Sequence, residues 1–435
     1  MNVFRVMLAI CAASALGAGP DPVKFERTVI DANFPGGYQV EVADVNGDKK
    51  PDIVALGGST LAWYENPTWT KRVVSTSKNT PDIISSATAD LDGDGKAEIA
   101  IAYDFAMNEP KRGKLLLAIQ GAKLDDPWTF KPIFTHYPQP PLRPIGGGFA
   151  GGGSGPFGFI ELKNVESIHR LRWGILPYPS LTPGGVQFEK KPGLVVAPIF
   201  GPRASPPAFT QEPAGLFFFG LGDDPKSGLW RMDAIGQIPV LHAIEVISFE
   251  GDQGFSAILG ASNQGVTLFQ ISPAVGAGPL FRSSNLAPGA PGTAPKKGAS
   301  EVHLGKLKDG RKFLSSVEPW HGTDVVIYTS ESLKPLKFGP RTVIDSTLKD
   351  GHALWVADVD GDGDDEVFAG YRGGEGGVLM FDFNGQTWDK TVLDPAVTAQ
   401  DLRGGDIDGD GTPDVVAIGG KSRNVVWYRP IRSAK

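Results

Sequence analysis

Cysteine is nearly absent: Cys11 is the only one in 435 residues. It lies in "MNVFRVMLAICAASALGAGP", where Arg5 precedes a short apolar run and small residues follow. That pattern reads as an export signal over residues 1–18, cut near Gly17 or Ala18, and predicts a periplasmic or extracellular protein. Ile10, before the cysteine, is not small, so a lipid anchor is not expected. The mature chain then has no cysteine, which excludes disulfides and thiol chemistry. No other run is long and apolar enough to span a membrane. There is no basic excess either. The formal charge is −7, so nothing argues for a nucleic-acid partner. Oligomeric state leaves no mark on the sequence.

Glycine (57) and proline (36) are plentiful and punctuate short β-branched runs, the composition of many strands and turns. Four acidic clusters share one spacing, with a carboxylate or Asn at positions 1, 3, 5 and 9. They are Asp44/Asn46/Asp48/Asp52, Asp90/Asp92/Asp94/Glu98, Asp358/Asp360/Asp362/Glu366 and Asp406/Asp408/Asp410/Asp414. Oxygen ligands at 1, 3 and 5 suit Ca²⁺, and the glycine after position 3 permits the turn. Position 12 is Ala55, Ile101, Ala369 and Ala417 rather than Glu, and the flanks alternate like strands. These are therefore turns between strands, not EF-hands. About four Ca²⁺ would more than offset the formal −7, so the acidity is read as cation ligation.

A strand leaves each loop, and an aromatic-rich strand follows. The first recurs as "PDIVALGG", "AEIAIAY", "GLVVAPIFG", "FSAILGAS", "KFLSSVEP", "DEVFAGY" and "PDVVAIGG". The second recurs from "LAWYENP" to "VVWYRP", also seven times. Tandem four-stranded units of this length are β-propeller blades, so the expected fold is an all-β seven-bladed propeller over residues 22–432. The last blade lacks a fourth strand, and "FERTVID" (25–31) supplies it from the N-terminus, closing the ring. Residues 104–160 and 276–298 have room for an eighth blade but no further strand set. Blade three replaces its acidic loop with "ILPYPSLTPGGVQFEKK".

Six residues before loop position 1, blades three, four and six carry His169, His242 and His352. Blades one, two, five and seven carry Tyr38, Ile84, Ser300 and Gln400 there. Three of only six histidines thus share one register at one mouth of the channel, the donor set of a Zn²⁺-type site. His321 falls in a turn on the same face, beside Glu318 and Trp320. So do Arg203, Arg372, Lys421 and Arg423, with Arg203, Arg372 and Trp320 taken as substrate contacts. The insert "PIGGGFAGGGSGPFG" is placed as a lid over this face, and His136 and His303 are treated as structural or surface residues.

The acidic strand–loop units resemble FG-GAP/VCBS repeats, a large class of seven-bladed propellers. A narrower likeness rests on "SIHRLRWG", "LVVAPIFGP", "PVLHAIEV", "KGASEVHLG", "VEPWHGTDVVIYT" and "DGHALWVADVDGDG". These resemble the propeller domain of the aldos-2-ulose dehydratases and their bacterial single-propeller relatives. That resemblance implies Zn²⁺ or another divalent transition metal in the channel, held by His169, His242 and His352, and loss of water from keto-sugars. Two departures are expected to matter: the sequence ends after the propeller, without the cupin and lectin parts, and blade three carries a foreign loop. The first expectation is an exported metal-dependent lyase on a keto-sugar or oxidised glycoside. His321 is its expected base, Glu318 the second candidate, and Tyr38 the donor to the leaving group. The alternatives are a non-enzymatic calcium-stabilised propeller binding carbohydrate or protein, and a polysaccharide lyase using His and Tyr without a transition metal.

Overall fold

The computed structural model describes residues 23–136, 166–182, 185–248, 255–271 and 281–431. The expected export signal and the glycine-rich insert lie outside them. Seven sheets are the seven expected blades, antiparallel throughout except that Phe134–His136 joins blade three parallel to Leu229–Ile238. In blade one the strands run Gly37–Ala43, Asp52–Gly57, Thr60–Glu65 and Thr70–Ser75, each paired with the next. Blade seven runs Ala399–Gly405, Asp414–Gly419 and Val425–Ile431, and its fourth strand is Lys24–Asp31. That strand pairs antiparallel with Val425–Ile431 and closes the ring as the sequence predicts. Among the described residues no helix is long and apolar enough to cross a membrane.

The ring holds because no blade can bury both faces alone. Each junction between neighbours has its own apolar cluster. Trp63, Ile99 and Leu116 join blades one and two. Phe218, Ile244 and Phe269 join three and four. Tyr64, Val416 and Ile418 join seven back to one. Polar latches repeat around the rim: the last aspartate of one blade's outer strand accepts from a tyrosine of the next. Tyr428 Oη donates to Asp394 at 2.8 Å, and Tyr64 Oη donates to Asp31 at 2.6 Å.

Blade three departs from the expected loop. Its first two strands, Ile168–Thr182 and Gly185–Pro198, form one long hairpin that keeps its register from Arg170 to Thr182. The residues replacing the acidic turn extend the ladder, since "ILPYPSL" and "VQFEKK" pair residue by residue where a cation turn would end it.

Candidate metal and proton-transfer site

The innermost strands bend where the channel histidines sit. In blades one, three, four, six and seven the pairing with the second strand slips by one residue. The residue left out of register is Tyr38, His169, His242, His352 or Gln400. A bulge releases its extra residue from the ladder and re-aims its side chain. Blades two and five carry Ile84 and Ser300 in this register, and their inner strands show no slip.

The released imidazoles are then locked around the ring. His169 Nδ1–H donates to the His242 carbonyl at 2.7 Å. His242 Nδ1–H donates to the Ser300 carbonyl at 2.9 Å, and His352 Nδ1–H to the Gln400 carbonyl at 2.7 Å. Each bond spends Nδ1 on the next blade and leaves the Nε2 lone pair facing inward, as orienting partners of metal-bound histidines do. Burial pushes all three rings below their ordinary value, and Arg170 reinforces this. Neutral imidazole is the ligand form.

One nitrogen each from His242, His321 and His352 lies within 4.8 Å of the others. This trio differs from the expected one by a single member. His169 is turned toward Tyr38, whose hydroxyl donates to His169 Nε2 at 2.7 Å. His321 takes its place from the turn between Lys312–Glu318 and Asp324–Leu333, held at φ 48°. Its Nε2 lies 3.0 Å from His242 Nε2. Its Nδ1 accepts from Arg372 Nη2 at 3.0 Å and lies 3.5 Å from Asp350 Oδ1. The hydrogen bonds thus run from Arg372 through His321 and His242 to the Ser300 carbonyl. A proton moved to His321 Nδ1, facing Asp350, would free Nε2 as a third ligand. The donor set therefore fits a divalent transition metal.

The other expected residues divide. Trp320 is buried beside His321 and His242, ring centroids 5.2 and 6.2 Å away, with its indole N–H unpartnered. Arg372 reaches the site and is braced by Asp350 Oδ2 at 2.8 Å and Gln400 Oε1 at 3.1 Å. Glu318 is fully buried and accepts from Arg341 Nε at 2.6 Å and Tyr328 Oη at 2.8 Å. With both oxygens hydrogen-bonded it anchors blade five, and burial raises its carboxyl above the ordinary value. Arg203 remains exposed and paired with Glu212 at 3.0 Å. Sequence reasoning missed Asp350, and also Lys296, whose ammonium donates to the Trp320 and His321 carbonyls at 3.0 and 3.3 Å. Lys296 comes from a small hairpin, Ala290–Thr293 with Lys296–Gly298, that repeats nowhere else in the described chain.

On the loop side the four acidic turns are pre-folded by their own carboxylates. Asp358 accepts from the Gly361 and Gly363 amides, and Glu366 Oε2 from Val359 N at 2.8 Å. Asp44 and Asp90 repeat the pattern. Three of the four turns also gather carboxylate oxygens within 4.8 Å of one another: Asp90, Asp92 and Asp94; Asp358, Asp360 and Glu366; Asp406, Asp408 and Asp410. Buried Glu366 Oε1 and Asp406 Oδ1 have no hydrogen-bond partner, which suits oxygens that ligate a cation.

Blade one carries the fewest carboxylates of the four turns. Among the described residues, Asp44, Asp48 and Asp52 do not form such a group. The reason is local. Position 3 is Asn46, a neutral amide, so the turn has one carboxylate fewer to neutralise. Asn46 Oδ1 accepts from Asp48 N at 3.0 Å, and Asp48 Oδ1 accepts from Lys50 N at 2.9 Å. Asp48 is exposed, while Asp52 is buried with its oxygens on the Val45 and Asn66 amides at 2.9 and 2.8 Å. The equivalent bonds recur in the other turns, from Asp94 N to Asp92, Asp362 N to Asp360 and Asp410 N to Asp408, so blade one shares their backbone frame. Blade two differs again: the Lys226 ammonium, from blade three, sits 2.7, 2.9 and 3.0 Å from Asp92, Asp94 and Glu98.

The FG-GAP-like repeat model matches residues 44–101 and 358–417, so the chain carries FG-GAP-like repeats. It is 23% identical over 382 residues to aldos-2-ulose dehydratase of Phanerodontia chrysosporium, across 81% of this chain and 38% of that protein. The chain thus spans well under half of that relative's length. Similar solved structures include an Agrocybe aegerita lectin recognising non-reducing terminal N-acetylglucosamine (TM-score 0.46, 13% identity, 92% of this chain and 87% of that one). Another is NanB sialidase from Streptococcus pneumoniae (TM-score 0.42, 11% identity, 92% and 69%). Likenesses of this size bear on neither ligand nor reaction.

Proposed function

We propose that the chain is a carbohydrate-directed propeller acting as a metal-dependent carbon–oxygen lyase on a keto-sugar or oxidised glycoside. The carrying observation is the convergence of three nitrogens, from His242, His321 and His352, within 4.8 Å. The dehydratase named above supports the reaction class. A divalent transition metal such as Zn²⁺ on these histidines supplies Lewis acidity toward the substrate carbonyl. The protein's own groups move the proton. With His321 in the ligand set, the Tyr38–His169 pair takes the base role. Proton transfer through the Tyr38 hydroxyl to His169 Nε2 removes the hydrogen beside the carbonyl, and the reverse transfer protonates the departing β-oxygen. The C–H and C–O bonds break, a C=C bond forms, and water or an alcohol leaves. Arg372 and Trp320 border the sugar. Calcium is proposed for the acidic turns as a framework ion, first for those of blades six and seven, and export is proposed from the signal-like pattern of residues 1–18.

The test is metal analysis of purified protein, paired with incubation with 2-keto and 3-keto sugars while enone absorbance is followed. About one transition metal per chain is expected, together with enone. Both should be lost in His242→Ala, and enone alone in Tyr38→Phe. Protein that retains only calcium and forms no enone after loading with Zn²⁺ is a binding propeller instead.

A further inference from the structure

The same inner strands build a second mouth. Three residues beyond the histidine register stand Glu41, Arg172, Glu245, His303, Trp355 and Arg403. All six line one cavity of about 320 Å³. The layer between is closed: Gln39, Arg170, Glu301 and Asp401 are buried, and Arg170 pairs with Glu301 at 3.5 Å. The cavity is therefore separate from the histidine mouth.

Its formal charges nearly balance, but its hydrogen-bonding capacity does not. The carboxylates are spent on neighbouring blades. Glu41 accepts from Thr88 N at 3.0 Å and from Ser86 Oγ. Glu245 accepts from Leu304 N at 3.1 Å and faces His303 Nδ1 at 3.2 Å. Asp401 accepts from Val40 N at 3.2 Å and Leu402 N at 3.0 Å. Two buried donors are not spent, while Arg403 stands 3.7 Å from Asp401. Arg172 uses Nη1 on the Leu171 carbonyl at 2.8 Å, while its Nη2 is shut in without a partner. Trp173 Nε1, on the same wall, is also buried and unpartnered. Arg403 directs its hydrogen bonds through Nη1, to His303 Nε2 at 3.1 Å and to the Leu354 and Leu402 carbonyls. Burial, with Arg403 alongside, pushes the Arg172 guanidinium down to about 9. Unmatched buried donors of one kind call for an acceptor.

We propose that this mouth binds a monomeric sugar acid, its carboxylate on Arg172 and Arg403 and its ring between Trp173 and Trp355. Guanidinium forks suit carboxylates, indole faces suit the apolar side of a pyranose, and the volume admits one ring. The site does not depend on the lyase reading.

Calorimetry with D-glucuronate, D-glucose and inorganic sulfate tests it at low salt. Glucuronate is expected to bind at one per chain, with glucose and sulfate at least tenfold weaker. Arg403→Gln and Trp355→Leu should each weaken glucuronate at least tenfold while circular dichroism and a single cooperative melt show that the ring still folds. His352→Ala should leave its affinity unchanged. Arg172→Met is a third variant, since it relieves the buried charge as well as removing the donor. Absence of glucuronate binding overturns the proposal. So does sulfate binding equally well, which marks an adventitious ion only, or loss of binding in His352→Ala with retention in Arg403→Gln.

Discussion

The acidic turns of blades two and six are near copies in sequence, yet each solves the repulsion of its carboxylates differently. In blade two Lys226 reaches across from blade three and sets an ammonium among Asp92, Asp94 and Glu98. In blade six Lys308 touches only Asp362 and Asp364 at the rim, at 3.3 and 2.6 Å. Buried Glu366 is left with Oε1 unpartnered, and desolvation pushes its carboxyl up to about 9. One turn holds an ammonium among its carboxylates; in the other the ammonium stays at the rim, and an ion from solution is proposed to fill the place. A repeat consensus therefore defines the shape of a turn without defining what neutralises it.

The largest expected effect is chelation. On the calcium reading, each turn that binds the ion should contribute about 2.7 kcal/mol at a hundredfold excess of calcium over its Kd. Removal with EDTA should lower Tm steeply, and calorimetric titration should count the sites. Next is Glu366→Gln, which mimics the protonated side chain. It should be more stable than wild type in EDTA at pH 8 and less stable in calcium. A variant weaker in both conditions would mean that Glu366 needs no external ion.

The pH dependence in EDTA ranks third. Glu366 holds its proton more tightly when folded, about 9 against an ordinary 4.5. Asp52 and Asp414, each pushed up to about 6 by burial, act in the same direction. Their stabilising contribution is complete below the unfolded values. It falls as pH rises, from about 3.8 and through about 6 for the two aspartates, and from about 4.5 and through about 9 for Glu366. Calcium replaces the proton as counter-charge, so its presence should flatten that slope between pH 5 and 9. Melting curves across pH, with and without calcium, show whether it does.

Blade count, closing strand and histidine register were legible because each repeats at a fixed offset, and repetition survives in a linear text. The partners were not, because the ring chooses them. Tyr38 meets His169 across 131 positions, and Lys226 meets Asp94 across 132. The exchange of places between His169 and His321 in the trio follows from such pairings: a tyrosine claims one imidazole, and a turn outside the repeat delivers another. The blade-one turn teaches the converse. Its shared spacing hid differences that were legible, the neutral Asn46 and the non-glycine Lys49 at positions where the other three turns carry Asp and Gly. The bulges that aim the register are silent in the text, since an extra residue in a strand looks like any other until its partner strand is placed. His303, taken as structural or surface, joins the second mouth for the same reason.

The smallest effect decides the comparison most directly. Lys226→Met removes the ammonium from blade two, and the side chain it removes is only 23% exposed. In EDTA the loss should be about 1 kcal/mol, the upper range for a solvent-accessible pair, because three carboxylates lose one shared counter-charge. In calcium the variant should bind one ion more than wild type and recover its Tm, since Asp90, Asp92 and Asp94 keep their ligand atoms within 4.8 Å of one another. Lys226→Arg should leave the count unchanged. An equal count for Lys226→Met and wild type would mean that calcium already displaces the lysine, and the two turns would then work alike.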